Sequence, residues 1–325
     1  MPVYNASAYV KEAMESILNQ SYTNLEFIII NDGSTDGSES IILSYKDPRI
    51  HYVKNERNLG LIATLNKGID LCKGDYIIRM DADDISLPDR LKKQVEFMNT
   101  NPEVGVCGSD YIQFGKGREI FHRSHHSHEL IFGWTLFNSS VVHPALIIRS
   151  SVIKSEKPYF NTEYKHAEDY ELWSRLIFKC KFADVPETLL KYRLHGSQVS
   201  RKYRAEQIEN GNKVRRNLLE KIGIRFTEEE FKVHCLLGSS QRIKDIQDLA
   251  ILSGWFDSLL EQNKTLKFLP EDILKQILSK QWYDACGITN LGPRAYLYYF
   301  KSHWSKDFKG SRAKLLSKSL VRWVG

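Results

Sequence analysis

Short apolar runs alternate with amphipathic stretches along the first part of the chain. Runs with the length and β-branched composition of buried strands lie at 26–30, 50–53, 76–80, 104–107 and 141–148. The three- to four-residue spacing of a helix that buries one face is found at 10–18, 62–72 and 87–99. This alternation predicts an α/β fold, with a mostly parallel, Rossmann-like sheet covered by helices on both faces.

Beyond about residue 204 the sequence pattern predicts helices and no further strands. Thr227 and Glu230 have the spacing of a capping box ahead of an apolar run, and Pro270 stands in the first turn of another predicted helix. The pattern therefore predicts two parts, an α/β domain over 1–203 and a mainly helical region over 204–325.

Composition limits the class of protein. A chain of 325 residues with 42% hydrophobic residues can bury a full-sized core. No apolar run reaches the roughly eighteen residues of a membrane span. The first residues are neither basic nor apolar for long enough to predict a signal peptide. The five cysteines are scattered and odd in number, which is typical of reduced thiols in a cytoplasmic protein. With a net charge of only +6, no nucleic-acid partner is expected.

The closing segment, 294–325, carries eight Lys or Arg residues against one Asp, interleaved with aromatic residues. Basic and aromatic side chains together suit an anionic membrane surface, which predicts a peripheral position on the inner face of the cell membrane. The alternative is an ordinary solvated helix pair that packs its aromatic residues on the domain. The sequence leaves both open.

Three carboxylates follow a predicted strand in YIIRMDADD at 76–84. Their mutual repulsion raises at least one pKa unless a cation holds them, and a diphosphate bound to magnesium or manganese brings such a cation. A solvated acidic turn is the alternative. A second strand, at 26–30, runs into NDGSTDGS at 31–38. Because ligands bind beyond the carboxyl ends of parallel strands, both polar turns are expected to face one crevice.

Six short motifs occur in one order and at characteristic spacings: PVYN at 2–5, NDGSTD at 31–36, NERNLG at 55–60, DADD at 81–84, AEDYELW at 167–173 and YRLH at 192–195. Together they closely resemble the family 2 glycosyltransferases of the GT-A fold, of the bacterial surface-polysaccharide type. The resemblance covers roughly residues 1–200, and it implies that the predicted 1–203 domain is the catalytic domain.

The resemblance implies a nucleotide site, to which it assigns Pro2, Tyr4, Asn5 and Asp32, with Asn58 and Gly60 closing the pocket. Asp32 would meet the base edge. A carboxylate accepts a hydrogen bond from the imide N–H of uracil and rejects cytosine, so a UDP-sugar is the expected donor. The alternative is that Asp32 caps the helix that follows Ser34.

The resemblance also makes Asp83 a ligand of Mn²⁺ or Mg²⁺ and places Asp81 toward the ribose or the metal. The ion would act as a Lewis acid on the departing diphosphate. Asp84 is expected to cap the turn before Ile85. In the pair Glu168-Asp169 the aspartate is the expected general base, supported by Glu168. The alternative is that both acids merely complement a helix dipole.

The remaining candidate residues are one arginine and several histidines. Arg193 and His195, and also His143, are expected to line the site or to contact the diphosphate. Four histidines lie in seven residues at 122–128. A zinc site is one interpretation of them, but no nearby cysteine completes it. A polar loop close to the acceptor is the other.

The family pattern places a buried strand of about five residues before PVYN, whereas only Met1 precedes Pro2 here. The first strand is therefore expected to be missing or truncated, or the true start to lie upstream. A missing central strand would leave backbone donors and acceptors unpaired, which predicts lower stability.

These features predict an inverting glycosyltransferase that moves a single hexose from a UDP-sugar to a hydroxyl of a growing glycan. The resemblance implies a polyprenyl-diphosphate-linked sugar as acceptor, in O-antigen, capsule or exopolysaccharide biosynthesis. Two alternatives stay open. The D-x-D motif also fits a phosphohydrolase of the haloacid dehalogenase type, and the basic tail also fits a non-catalytic nucleotide-sugar or polyanion binding protein.

Overall fold

The computed structural model describes residues 1–115, 117–196, 203–287, 289, 291, 293–306 and 315. The chain divides into two compact units. The first comprises Met1–Ile131 and Ser140–Gln207, and the second comprises Phe132–Ser139 and Ile208–Gly325. The second unit thus takes in a short segment from the middle of the chain, which the sequence pattern does not indicate.

The first unit opens with a three-stranded parallel sheet in the order β1 (Pro2–Val3), β2 (Phe27–Asn31) and β3 (Ile50–Lys54). Helices α1 (Val10–Leu18), α2 (Ser38–Leu43) and α3 (Leu61–Leu71) connect and follow these strands. All five residues of β2 are buried, as the continuous apolar run at 26–30 predicts for a strand covered on both faces.

The first strand, which was expected to be missing or truncated, is present over two residues as β1. β1 pairs with β2, the amino group of Met1 donates to Ile28 O at 2.8 Å, and Ile30 N donates to Met1 O at 3.0 Å. Backbone groups of β2 on this side therefore have partners. Val3, Met14 and Ile29 are each at most 1% exposed and belong to the core that this sheet shares with α1.

A second sheet has the order β4 (Tyr76–Ile78), β8 (Ile147–Arg149), β6 (Val104–Phe114), β9 (Lys181–Arg193) and β5 (Ile85–Ser86), and β7 (Ile120–His122) pairs with β6. Only β6 and β9 run parallel among these pairs. The prediction of a mostly parallel sheet thus holds for the first sheet and is wrong for the second. Gly115 and Gly117, with φ of 101° and 73°, allow β6 to turn back into β7 as an antiparallel hairpin.

Four more helices follow in the chain: α4 (Arg90–Thr100), α5 (His128–Thr135), α6 (Ser150–Lys154) and α7 (Glu168–Leu176), with short 3₁₀ helices at His143–Ala145 and Thr162–Tyr164. The second half of α5 belongs to the second unit. The strand predicted at 141–148 is wrong over 141–146, since β8 begins at Ile147. Pro144 lies inside the first 3₁₀ helix, since its fixed φ suits a tight turn and it has no N–H for a strand.

The remaining helices are α8 (Arg204–Ile222), α9 (Glu228–Gly238), α10 (Ile246–Leu266), α11 (Glu271–Gly287) and α12 (Pro293–Lys301), followed by a 3₁₀ helix at His303–Ser305. The predicted capping box is confirmed: Glu230 N donates to Thr227 Oγ1 at 3.2 Å, and Thr227 N donates to Glu230 Oε2 at 2.8 Å. His234 is buried in this unit, where its Nε2 lies 2.8 Å from Leu136 O.

The described part of the closing segment packs its larger aromatic side chains inward. Tyr299 is 3% and Trp304 is 1% exposed, and Trp304 meets the ring of Phe256 edge-on at 5.6 Å. This favours the packing alternative for 294–306, whereas Phe308 and Trp323 lie outside the described residues. No helix in the described part of the chain has both the length and the apolarity that crossing a bilayer requires.

Candidate active site

The acidic turn follows β4 and contains Asp81, Asp83 and Asp84. Each residue offers a carboxylate oxygen, and these oxygens lie within 4.8 Å of one another. Asp84 is 1% exposed, and its Oδ2 has no hydrogen-bond partner among the described residues. Burial, together with the charges of Asp81 and Asp83, raises the pKa of Asp84 well above its usual range. A crowded set of hard oxygen ligands with one unsatisfied atom fits Mg²⁺ or Mn²⁺.

The end of β9 holds this turn in place. Arg193 donates from its backbone N to Asp84 Oδ1 at 2.8 Å and from Nε to Asp83 O at 2.7 Å. Its guanidinium carbon lies 5.0 Å from the ring centroid of Tyr9 and 4.4 Å from that of Phe114. Arg193 also forms an ion pair with Glu12. Its backbone and side chain thus connect the acidic turn to neighbouring elements, a role that the sequence did not indicate.

His195 lies directly against the candidate metal ligand. Its Nε2 is 2.7 Å from Asp83 Oδ2, and its ring is 4.9 Å from that of Tyr9. The structure thus brings His195 and Asp83 together across 112 residues of sequence. The side chain of His195 is 16% and that of Asp83 is 27% exposed, so both border the surface of the site.

Two arginines that sequence reasoning missed lie beside the carboxylates. Arg79 forms an ion pair with Asp81. Arg90 is fully buried and donates from Nη2 to Arg79 O at 3.1 Å and to Leu146 O at 3.3 Å, and burial lowers its pKa to about 9. Their positive charges partly offset the repulsion among the acids. The position of Arg79 two residues before Asp81 was the available sequence signal.

The first two strands bring the nucleotide candidates together at their carboxyl ends. Asp32 is 3% exposed and accepts three hydrogen bonds, from Asn55 Nδ2 at 2.8 Å, Leu59 N at 2.9 Å and Gly60 N at 3.0 Å. The alternative that Asp32 caps the next helix is wrong, because its partners are in the 55–60 loop. Asp36 bonds at that helix instead, accepting from Ser38 N at 3.0 Å.

The loop after β1 joins the same place. Asn5 has a positive φ of 48°, its N donates to Ser34 Oγ at 3.0 Å, and its Oδ1 accepts from Thr35 N at 2.8 Å. Pro2 lies in β1, and Tyr4 is 50% exposed. These contacts join the loop after β1 to the polar turn after β2.

Gly33 and Asn58 show how closely the second and third loops approach. Gly33 has a φ of 71°, and a Cβ at this position would lie 2.7 Å from Asn58 N and 2.6 Å from Arg57 C. Only glycine allows this approach. Gly60, with a φ of 89°, then starts α3.

Glu168 and Asp169 form the first turn of α7. Glu168 is 7% exposed, its Oε2 has no hydrogen-bond partner among the described residues, and burial aided by the Asp169 charge raises its pKa to about 7. Burial also raises the pKa of Asp169, whose Oδ1 accepts from Tyr170 N at 2.7 Å. The positive charge of Arg79 acts in the opposite direction on both acids. Such a pair can accept a proton near neutral pH.

The histidines at 122–128 have structural partners. His126 Nε2 lies 3.0 Å from Asp110 Oδ1, His128 Nδ1 accepts from Phe182 N at 3.2 Å, and the ring of His122 stacks on Tyr111 at 4.7 Å. Within the described ranges, the acidic turn and not this tract has the spacing of a metal site. His143 is 8% exposed, and burial lowers its pKa well below the usual range, so it is neutral.

Comparison with known proteins agrees with this fold. The family model described as glycosyl transferase family 2 matches residues 1–157. An uncharacterized glycosyltransferase of Haemophilus influenzae is 39% identical over 68% of this chain and 73% of its own length. Another, of Methanocaldococcus jannaschii, is 36% identical over 60% of this chain and 69% of its own.

Among solved structures, S. aureus TarS 1–349 in complex with UDP-GlcNAc superposes with a TM-score of 0.56 at 17% identity, covering 99% of this chain and 89% of that one. This likeness defines the class of fold, GT-A. The family model and the relatives show the family: the chain belongs to the family 2 glycosyltransferases and is a transferase. The expected haloacid dehalogenase alternative is therefore set aside.

Proposed function

We propose that this chain is an inverting glycosyltransferase that transfers a single hexose from a UDP-sugar to a hydroxyl group of a growing glycan. The observation that supports it best is the presence, in one unit, of an acidic turn suited to a divalent cation and of the Glu168–Asp169 pair with raised pKa values. Leaving-group stabilisation and proton removal are the two tasks of such a transfer.

Asp169 serves as the general base in this proposal. It accepts the proton of the acceptor hydroxyl while the hydroxyl oxygen forms a bond to the anomeric carbon of the donor. On the opposite face, the bond from that carbon to the diphosphate oxygen breaks, and its electron pair leaves with UDP. Attack opposite to the leaving group inverts the anomeric configuration. Glu168 supports Asp169, since burial brings its pKa to about 7.

The acidic turn serves the leaving group. Asp83 and Asp81 would hold Mn²⁺ or Mg²⁺, which when bound neutralises charge on the departing diphosphate. Arg193 keeps the turn in its shape through Asp83 O and the Asp84 carboxylate, and His195 orients Asp83 Oδ2. These contacts let a short turn present two carboxylates in a fixed direction, as phosphate-bound cations require.

The uridine nucleotide binds at the carboxyl ends of β1 and β2 in this proposal. Asp32 accepts a hydrogen bond from the uracil imide N–H, beside Tyr4 and Leu59, which are 50% and 49% exposed and offer apolar surface to a base. Pro2, Asn5, Asn58 and Gly60 shape the pocket. The neighbouring TarS structures contain UDP-GlcNAc and UDP, which supports a uridine donor.

We further infer that the acceptor is a sugar linked to a polyprenyl diphosphate, in O-antigen, capsule or exopolysaccharide biosynthesis. The support is the resemblance of the six motifs to bacterial enzymes of that type. Such an acceptor lies in a membrane, so a peripheral membrane association of this chain belongs to the same proposal.

The decisive experiment measures nucleotide release. The purified chain is incubated with Mn²⁺ and UDP-, GDP-, dTDP- or CMP-sugars, with and without a GlcNAc-diphosphate-lipid acceptor analogue. Acceptor-dependent release of UDP from one donor is the expected result, and the product's anomeric configuration reports inversion. Release from the CMP-sugar would contradict the role given to Asp32, because N3 of cytosine is an acceptor. Release from a GDP- or dTDP-sugar alone would contradict the uridine donor. Binding of a UDP-sugar without release on any acceptor would favour the binding-protein alternative.

A further inference from the structure

The helix that carries Glu168 and Asp169 has no cap of its own. Ala167 occupies the N-cap position of α7 and has no side chain that can accept a hydrogen bond from the helix. The preceding residue, His166, has a positive φ of 66°, a conformation that is unfavourable for a residue with a Cβ. Contacts outside α7 must therefore stabilise the 165–167 turn.

Ala167 N donates to Tyr164 O at 2.8 Å. Further contacts come from the first turn of α8 and the residue before it. The rings of Tyr203 and His166 are stacked, with centroids 4.4 Å apart and an angle of 10° between their planes. Gln207 Nε2 donates to His166 O at 3.0 Å. Lys165 Nζ lies 5.9 Å from the Tyr203 ring centroid, on the same turn. All of these residues belong to the first unit.

His166 Nε2 also lies 3.4 Å from Glu206 Oε2, in the same turn of α8. The stack and the Gln207 bond restrain different degrees of freedom. The stack fixes the His166 side chain, which is 11% exposed, and the Gln207 bond fixes the carbonyl of the same residue. A residue whose ring and carbonyl are both held cannot relax from its positive φ to a helical one. Because α7 starts two residues later, the direction of its first turn depends on that φ.

We propose that Tyr203 and Gln207 are positioning residues, which hold the 165–167 turn and thereby set where Glu168 and Asp169 face the donor. This rests on the proposed function of that acidic pair. The sequence motif AEDYELW ends well before Tyr203, so these residues extend the functional part of the chain into α8.

Two substitution pairs test the proposal. Tyr203→Leu removes the stack, and Tyr203→Phe keeps it. Gln207→Ala removes the amide donor, and Phe178→Leu, at a 42% exposed ring elsewhere in the first unit, is the control. We expect Tyr203→Leu and Gln207→Ala to lower kcat at least tenfold with an unchanged Kd for the UDP-sugar. Tyr203→Phe and the control should keep the wild-type kcat.

Hydrogen exchange supplies a readout that does not depend on catalysis. Amides at 165–170 should exchange at least tenfold faster in Tyr203→Leu than in wild type or Tyr203→Phe. Unchanged exchange, or an unchanged kcat in an active enzyme, would overturn the proposal. So would an equal loss of kcat and donor binding, which indicates general unfolding. A wild-type chain that transfers no sugar refutes the proposed function, whereas the exchange experiment still decides whether α8 holds the turn.

Discussion

The backbone N–H of Arg193 donates a hydrogen bond of 2.8 Å to Oδ1 of Asp84, although 109 residues separate them. The end of β9 thus holds the turn that follows β4. Arg193 Nε adds a second bond to Asp83 O, so the carboxylates of the D-x-D-D motif are presented by a strand that lies far away in the sequence. Substitutions at the end of β9 are therefore expected to affect the acidic turn.

Replacing Asp83 should abolish transfer. We expect Asp83→Ala to lower kcat by about a thousandfold or more, because a carboxylate that holds the cation on the leaving group is lost. Excess EDTA should reproduce this loss in wild type, and Mn²⁺ should restore it. Asp89→Ala, an exposed acid at the start of α4, is the control and should remain active. Full activity in EDTA would argue against a metal role.

Replacing Asp169 should separate chemistry from binding. Asp169→Asn keeps the size of the side chain but cannot take up the acceptor proton, so turnover should fall by about 10²- to 10⁴-fold. The affinity for UDP, measured by titration calorimetry, should be unchanged. Glu163→Gln, at an exposed acid nearby in the chain, serves as the control. Retained turnover in Asp169→Asn would assign the base elsewhere.

Glu168 should make stability depend on pH. Its folded-state pKa of about 7 lies above the usual 4.5, so the folded protein keeps a proton that the unfolded chain releases between these values. The stabilisation is complete below the usual pKa and is lost as the pH rises to 7 and beyond. Glu168→Gln should therefore gain in free energy of unfolding over wild type between pH 5 and 8, by at most about 3 kcal/mol. Denaturant titrations at several pH values measure this gain, and a constant difference would contradict it.

Replacing Arg193 should destabilise the acidic turn, because the substitution removes contacts as well as a positive charge. Arg193→Ala removes the Nε bond to Asp83 O, the packing against Tyr9 and Phe114 and the ion pair with Glu12. We therefore expect a loss of about 1–3 kcal/mol in stability and weaker Mn²⁺ binding. Lys54→Ala removes an exposed cation paired with Glu39 and should cost less than about 1 kcal/mol. Equal Mn²⁺ affinity in both variants would show that the turn holds its shape without Arg193.

Two glycines should respond to alanine in opposite directions. Gly33→Ala forces a Cβ against Arg57 C at 2.6 Å with a φ of 71°, so it should cost about 2 kcal/mol or more and impair nucleotide binding. Gly254 is exposed within α10, and a Cβ there meets no atom within 4 Å. Gly254→Ala should stabilise by about 0.5–1 kcal/mol, because alanine favours helices. Thermal melts of both variants check this pair.

Local pattern was sufficient for much of the first unit. The apolar run at 26–30 and the amphipathic stretch at 62–72 match β2 and α3 within one residue at each end, because continuous burial and one-sided burial leave different periodicities. The acidic turn was predicted for the same reason: three carboxylates directly after a buried strand are a local feature.

The sequence pattern did not predict which strands pair when they lie far apart in the chain. β9 was missed, since Pro186 and Glu187 interrupt its apolar pattern; the register with β6 jumps there, from the pair Ser109 and Val185 to the pair Asp110 and Thr188. Most of the second sheet is antiparallel for a similar reason, because strand direction depends on turns and on partners far away in the chain.

Residue type and short-range spacing are sufficient to predict the motifs, the acidic residues and most of the elements that carry them. Which groups meet depends on the fold: Asp83 lies against His195, Asp32 against the 55–60 loop, and the charge of Arg79 acts on the acids of α7. Burial then set their pKa values, since the cost of charge depends on the surroundings that the fold assembles.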